Sequence, residues 1–259
     1  MLTYPQLSTG ALVQFPVGKR RLKRTVVNEL ADHSTVKFSD PGVEVVEWHL
    51  EYAGLSDEEI TALEGFFAAT EGSLTSFTFL DPCGNLFGWS DDLRNVAWIK
   101  APFLTMADGA DDPFVGKNAW SVNNTGLGTQ RLSQNLAVPG SYVYTLSLYV
   151  RSQQSVKLSL VLGNTSSERQ TTADWRRISL SGNGIGAASE EFGIELPAGA
   201  SVDVFGLQLE PQAGASVYKP SRLAGVYENA YFKDDVLAIT STGVNRHSAT
   251  VDIIHAKRL

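Results

Sequence analysis

The chain has 259 residues, 43% hydrophobic and 19% charged, with a net charge of −7, enough to bury a large core in one or two domains. The acidic balance argues against non-specific nucleic-acid or acidic-membrane binding as its main task. The single Cys83 excludes an internal disulfide and fits maturation in a reducing cytoplasm, no apolar run reaches the ~18 residues of a membrane span, and Met1-Leu2-Thr3-Tyr4-Pro5 lacks the pattern of a signal peptide.

Residues 12–52 read as strands: Phe15-Pro16-Val17, Leu22 to Leu30, Val36 to Phe38 and Val43 to Tyr52, with Trp48, Leu50 and Tyr52 on one face and Glu47, His49 and Glu51 on the other. One helix follows, about 57–71. Ser56 with Glu59 forms a capping box, Ile60, Leu63, Phe66 and Phe67 make an apolar stripe, and Gly72 supplies a left-handed stop. Leu74–Leu80 is expected as a strand, ending in the turn Asp81-Pro82-Cys83-Gly84-Asn85.

From Leu86 to Ser221 helical periodicity disappears. Short strands are expected at Ser141–Arg151, Val156–Leu162, Arg176–Leu180, Glu191–Leu196 and Val202–Leu209, at the spacing of a β-sandwich. The tail returns to the first style, with strands at Val226–Phe232, Val236–Thr240 and Ala249–Ile254. Three strands rarely stand alone, so they are expected to pair with residues 12–80, which makes the middle region an insertion. The fold class expected is mainly β: a split β-sandwich or barrel with one packed helix (1–86 and 222–259) and an inserted jelly roll (87–221).

Enzyme motifs are missing: no nucleophile elbow, HExxH, phosphate loop or Cys/His metal spacing. The four histidines, His33, His49, His247 and His255, read as surface or packing residues. Glu190, Glu191, Glu195 and Glu210 could supply a glycosidase carboxylate pair, or be the solvent-facing positions of alternating strands. Lys19, Arg20, Arg21, Lys23 and Arg24 form the only basic run; a nucleic-acid patch is one reading, a charged strand edge or subunit contact the favoured one. Asp108, Asp111 and Asp112 could hold a structural Ca²⁺ in a flexible loop, or simply solvate a turn. Trp120, beside Asn118, Asn123 and Asn124, is the least core-like tryptophan and the best sugar-stacking candidate, with Trp98 and Asn123 beside it; Trp175 reads as packed.

Phe15-Pro16, the strand to Trp48, the helix ending in Phe66-Phe67 and Glu71-Gly72, and Phe77 to Pro82 with Asn85 resemble the N-terminal part of bacteriophage distal tail proteins and their gene-transfer-agent relatives. Asn85-Leu86, Trp89 to Leu93, Trp98, Pro139 to Tyr142, Trp175 to Ser179, Phe205 to Glu210 and Tyr218 to Ser221 resemble the carbohydrate-binding-module-like jelly rolls of tail and spike proteins. The resemblance implies a non-enzymatic, homo-oligomeric, hexameric ring between tail tube protein and tail hub or tip, in a virion or phage-like particle assembled in the bacterial cytoplasm. The jelly roll would project outward toward host surface glycans; neither a cofactor, specific nucleic-acid binding nor membrane insertion is implied. No residue matches a defined sugar site, so sugar binding enters at the level of the domain. The rival reading is a stand-alone lectin or an accessory protein of carbohydrate-active enzymes.

Overall fold

A computed structural model of the chain describes residues 2–184 and 189–257. It divides into two compact units: residues 1–7, 13–79 and 227–259, and residues 8–12 and 80–226. The fold is mainly β with one helix.

In the first unit β1 (Val17–Glu29) and β2 (Thr35–Leu55) form a long antiparallel hairpin, paired from Val17 opposite Leu50 to Glu29 opposite Thr35, with a register shift at Lys23/Arg24. The separate short strands expected between residues 22 and 52 are two continuous ones, because His33, in the left-handed region at φ 64, and the Asp32–Ser34 hydrogen bonds confine the turn to its tip.

The helix, α1 (Asp57–Ala69), begins as expected. Glu59 N donates to Ser56 Oγ at 3.2 Å, and Ser56 N donates to Glu59 Oε2 at 2.9 Å. Glu71 and Gly72 both turn left-handed, at φ 51 and 63. β3 (Phe77–Leu80) starts later than expected, because Asp235 accepts from the amide and hydroxyl of Ser73 and holds residues 72–73 in a turn.

The closing strands β14 (Val226–Phe232), β15 (Ala238–Gly243) and β16 (Arg246–Lys257) join the same sheet, in the order β1-β2-β16-β14-β3, with β15 beside β16. Val251 lies opposite Leu50 and Ile253 opposite Trp48, so one apolar face is shared. The core is aromatic. Trp48 meets Phe79 and Tyr227 at 5.0 and 4.7 Å, and Phe232 meets Phe66, Phe67 and Phe77 between 5.0 and 5.8 Å. Edge-to-face packing of this kind adds to the burial of each ring. Tyr4 and Tyr52 share a buried hydroxyl contact at 2.9 Å, and burial pushes the Tyr52 phenol well above its ordinary range.

The second unit is a β-sandwich. One sheet joins β4 (Ile99–Lys100), β7 (Gln130–Leu136), β9 (Lys157–Leu162), β10 (Thr165–Gln170) and β12 (Glu190–Leu196), in the order β10-β9-β12-β7-β4. The other joins β5 (Leu104–Ala110), β6 (Ala119–Asn124), β8 (Val143–Arg151), β11 (Arg176–Asn183) and β13 (Ser201–Glu210), in the order β11-β8-β13-β6-β5. Leu158, Leu160, Phe192 and Ile194 from the first sheet and Tyr144, Leu146, Leu148 and Val204 from the second are fully buried, with Tyr144 touching Phe192 at 5.3 Å.

The two ends of this unit are clasped to each other. Asn85 Nδ2 donates to Leu207 O at 2.8 Å, while its Oδ1 accepts from Phe87 N and Leu209 N at 3.1 and 3.0 Å. Ser221 Oγ donates to Phe87 O, Ser221 N donates to Ser90 Oγ, and Ser90 N donates to Ser221 O. Buried polar groups must find partners, and here they find them across 122 to 134 residues of chain.

Candidate functional site

β13 breaks its pairing with β8 between Phe205 and Gln208. At this bulge Gly206 takes a left-handed φ of 67, and a Cβ there would lie 3.0 Å from the Tyr218 ring. Only glycine allows that backbone and that ring to approach so closely. Beside the bulge opens a cleft of about 380 Å³, within the range of small-ligand sites. Its apolar lining includes Trp120, Phe205, Leu207 and Tyr218; its polar lining includes Ser90, Asp91, Asp108, Lys117 and Asn118.

The aromatic groups are held from behind. Tyr218 packs edge-on against Phe205 at 5.2 Å, and its hydroxyl lies 3.1 Å from Ser90 Oγ. Burial, opposed by the Ser90 hydrogen bond and aided by the charge of Asp91, pushes the Tyr218 phenol up to about 12, so it keeps its proton at neutral pH. Phe205 continues into a ring cluster with Tyr149 and Phe114, where Phe114 is 62% exposed and Arg177 lies over Tyr149 at 5.4 Å. Arg151 joins Asp203 at 2.9 Å and stacks over Trp175 at 4.9 Å.

The polar rim is set by Asp112. Its carboxylate accepts from Phe114 N, Gly116 N, Asn118 N and Asn118 Nδ2, at 2.8 to 3.3 Å. Burial alone would raise its pKa; these four donors outweigh it and hold the carboxyl below the ordinary value. The loop so formed carries Lys117 and Asn118 to the cleft.

The sequence-proposed sugar residues are distributed differently from expectation. Trp120 does line the cleft, but it is buried on β6 rather than the least core-like tryptophan: it is 5% exposed, donates its Nε1–H to Asp91 O, and has Arg94 over its ring at 5.1 Å. Trp98 is 2% exposed, packs on Phe87 and donates to Trp89 O, so its ring presents no face to a ligand. Asn123 accepts a hydrogen bond from Ser201 Oγ at 2.5 Å and is outside the cleft lining. Asp108, Asp111 and Asp112 are not gathered. Asp108 pairs with Arg94 at 3.0 Å, Asp111 with Lys117 at 3.8 Å, and Asp112 is taken up by its own loop. Among the described residues no three Asp, Glu, His or Cys side chains stand together as a metal site.

Glu191 and Glu195 take the outward, partly exposed positions of β12 that the alternating-strand reading gives them, whereas the other two glutamates do not. Glu190 and Glu210 are buried rather than solvent-facing, Glu210 accepting from Ser216. Glu191 and Glu195 are bridged by Arg131 from β7. The basic run lies on β1 and is largely neutralised across the hairpin, by Arg20–Glu47 at 3.7 Å, Arg21–Glu44 at 3.3 Å and Arg24–Asp40 at 3.8 Å, with Lys19 over Trp48 and Lys23 in no ion pair among the described residues. Phe205, Tyr218, Ser90 and Asp91 were legible only as parts of longer phrases. A glycine within an otherwise regular strand, Gly206, was the signal for the bulge that gathers them.

No protein-family model matches the chain, and no curated protein matches it. Among solved structures, the chain is similar to the C-terminal family 22 carbohydrate binding module of Clostridium thermocellum Xyn10B, at 14% identity and a TM-score of 0.38, over 54% of this chain and 99% of that one. It is similar to the CBM22-1 xylan-binding domain of Paenibacillus barcinonensis Xyn10C, at 16% identity and 0.37, over 53% and 95%. It is also similar to the enzymatically active domain of bacteriophage CBA120 tailspike protein 4, at 9% and 0.37, over 51% and 21%. These likenesses are distant; the residues of the cleft carry the functional reading. No described helix is long and apolar enough to cross a membrane.

Proposed function

We propose that the second unit is a non-catalytic carbohydrate-binding sandwich whose site is the cleft beside the β13 bulge. One observation carries this reading: Phe205, Tyr218 and Trp120 converge on the same opening as Ser90, Asp91, Asp108, Lys117 and Asn118. Sugars present apolar C–H faces and a dense array of hydroxyls, and a site that mixes aromatic planes with short polar groups meets both. Glu191 and Glu195, the neighbouring glutamates of β12, are both engaged by Arg131. Calorimetric titration of the full chain with a panel of neutral oligosaccharides is the test. Binding is expected, with Phe205→Ala and Tyr218→Ala each weakening it about tenfold; no binding, or binding indifferent to both changes, overturns the reading.

A second reading concerns the first unit, which we propose builds a homo-oligomeric, hexameric ring of a phage-like tail between tube and hub proteins. Its support is β1, a 13-residue strand at the edge of its sheet, whose outer backbone N–H and C=O groups are a template for pairing with a second copy. In such a ring the sandwiches would face host glycans, and six weak sites would combine by avidity. Native mass spectrometry and negative-stain microscopy decide it: a closed ring supports the assembly, and a strict monomer at high concentration rules it out.

A further inference from the structure

We propose that the cleft selects uncharged, hydroxyl-bearing sugar units and turns away acidic ones, with Asp91 as the residue that sets this preference. The inference rests on the carbohydrate-binding reading and adds the class of sugar. Two carboxylates, Asp91 and Asp108, and one ammonium, Lys117, line the cleft. Lys117 is the weaker partner for a ligand: its side chain is 80% exposed and its Nζ lies 3.8 Å from Asp111. Lys219, between two lining residues, pairs with Glu210 at 3.8 Å, Arg222 lies over the Trp89 ring, and Arg94 is already committed. Its Nη2 lies 3.0 Å from Asp108 Oδ2 and its guanidinium covers the Trp120 ring. Asp108 is thereby neutralised, and Asp91 remains.

Among the described residues the Asp91 side chain has neither an ion pair nor a hydrogen bond; only its backbone carbonyl is engaged, by Trp120 Nε1–H. It lies close enough to Tyr218 to oppose ionisation of that phenol. An ionised carboxylate only accepts. Hydroxyl groups of a neutral sugar bring the donors it needs, and such charge-assisted bonds are the stronger kind. A sugar carboxylate brings a second acceptor and a like charge, so no proton lies between the two and they repel. The discrimination is therefore built from hydrogen-bond polarity and charge together.

The test uses the full chain and pairs of oligosaccharides identical except that C6 is a hydroxymethyl group in one and a carboxylate in the other, at low salt. The neutral member is expected to bind about tenfold more tightly, and the gap is expected to narrow as salt screens the repulsion. Asp91→Asn keeps the shape and should bring the pair to within about twofold, with an unchanged melting temperature because no side-chain bond is lost. Equal or tighter binding of the acidic member by the unaltered chain overturns the charge preference and leaves the carbohydrate reading standing. A tenfold gap that persists in Asp91→Asn overturns the assignment to Asp91. Failure of every neutral sugar to bind removes the carbohydrate reading itself, and this inference with it.

Discussion

Replacing Gly206 with alanine tests how the cleft is built. At φ 67 an alanine pays the left-handed penalty of roughly 1–2 kcal/mol. Its Cβ would also stand 3.0, 3.2 and 3.3 Å from three atoms of the Tyr218 ring. That ring has little room to retreat, being held by Ser90 at its hydroxyl and by the edge of Phe205. The lower entropy of an unfolded alanine chain offsets about 0.4–1 kcal/mol. A net loss of about 1.5 kcal/mol is expected in urea denaturation, or a fall of roughly 3–6 °C in melting temperature for a domain of this size. Sugar affinity should fall at least about fivefold, because the ring that shapes the cleft has moved.

Gly199 provides the control. It has nearly the same φ, 69, but open space where a Cβ would go, so Gly199→Ala carries the backbone penalty without the collision and should leave affinity unchanged. If Gly206→Ala matches Gly199→Ala in stability and retains full affinity, the contact between bulge and ring does not shape the site.

Asn85→Ala leaves Phe87 N, Leu209 N and Leu207 O without their shared partner, and should cost about 3 kcal/mol in chemical denaturation; a loss under ~1 kcal/mol would show that water replaces the clasp. Asp112→Asn should lower the melting temperature and weaken sugar binding, whereas millimolar calcium should leave the unaltered chain's melting temperature unmoved; a clear rise with calcium would point instead to a bound ion at this loop. His49 Nδ1 lies 2.8 Å from Asp252 Oδ1, and that hydrogen bond, against a smaller burial effect, raises the imidazole pKa. A raised folded-state pKa contributes stability that is fully present below the unfolded value of ~6.5 and is lost as pH rises through the folded value. Both groups are partly exposed, so the gain should stay below ~1 kcal/mol. Denaturation midpoints at pH 5.5 and 8.5, with Asp252→Asn as comparison, check it: the variant should lose the difference.

Local signals carried the helix and much of the β pattern. Ser56 with Glu59 and the Ile60–Leu63–Phe66 stripe stated α1 outright, because capping and period are properties of neighbouring residues. The alternation of Val202 to Leu209 stated β13 in the same way. β5, β6 and β7 were missed, although Trp120, Val122 and Asn124 alternate with Ala119, Ser121 and Asn123. Polar residues occupy buried positions there: Asn124 is 2% exposed because its Nδ2 donates to Gly128, Leu196 and Pro197. Periodicity marks such an asparagine as loop, since two of its three partners lie 72 and 73 residues away. The contacts that shape the acidic loop were hard to see for a related reason. Four donors gather on the Asp112 carboxylate; three are backbone amides, which carry no mark in the sequence, and only the fourth, the Asn118 side chain, does.

The clasp and the cleft draw on the same few residues, and this ties binding to stability. Ser90 accepts from Ser221 N and also touches the Tyr218 hydroxyl, while Tyr218 and Pro220 belong both to the returning chain and to the cleft lining. Gly206, whose backbone Tyr218 covers, lies beside Leu207 and Leu209, the residues that Asn85 ties to the entering chain. A ligand that holds Tyr218 in place therefore acts on the closure of the whole sandwich. Because it binds the folded form, saturating sugar at a hundred times its Kd should add about 2.7 kcal/mol to the unfolding free energy. Asn85→Ala should weaken binding although Asn85 does not line the cleft, whereas a cleft that leaves affinity untouched when Asn85 is lost must be held together by the sheet alone.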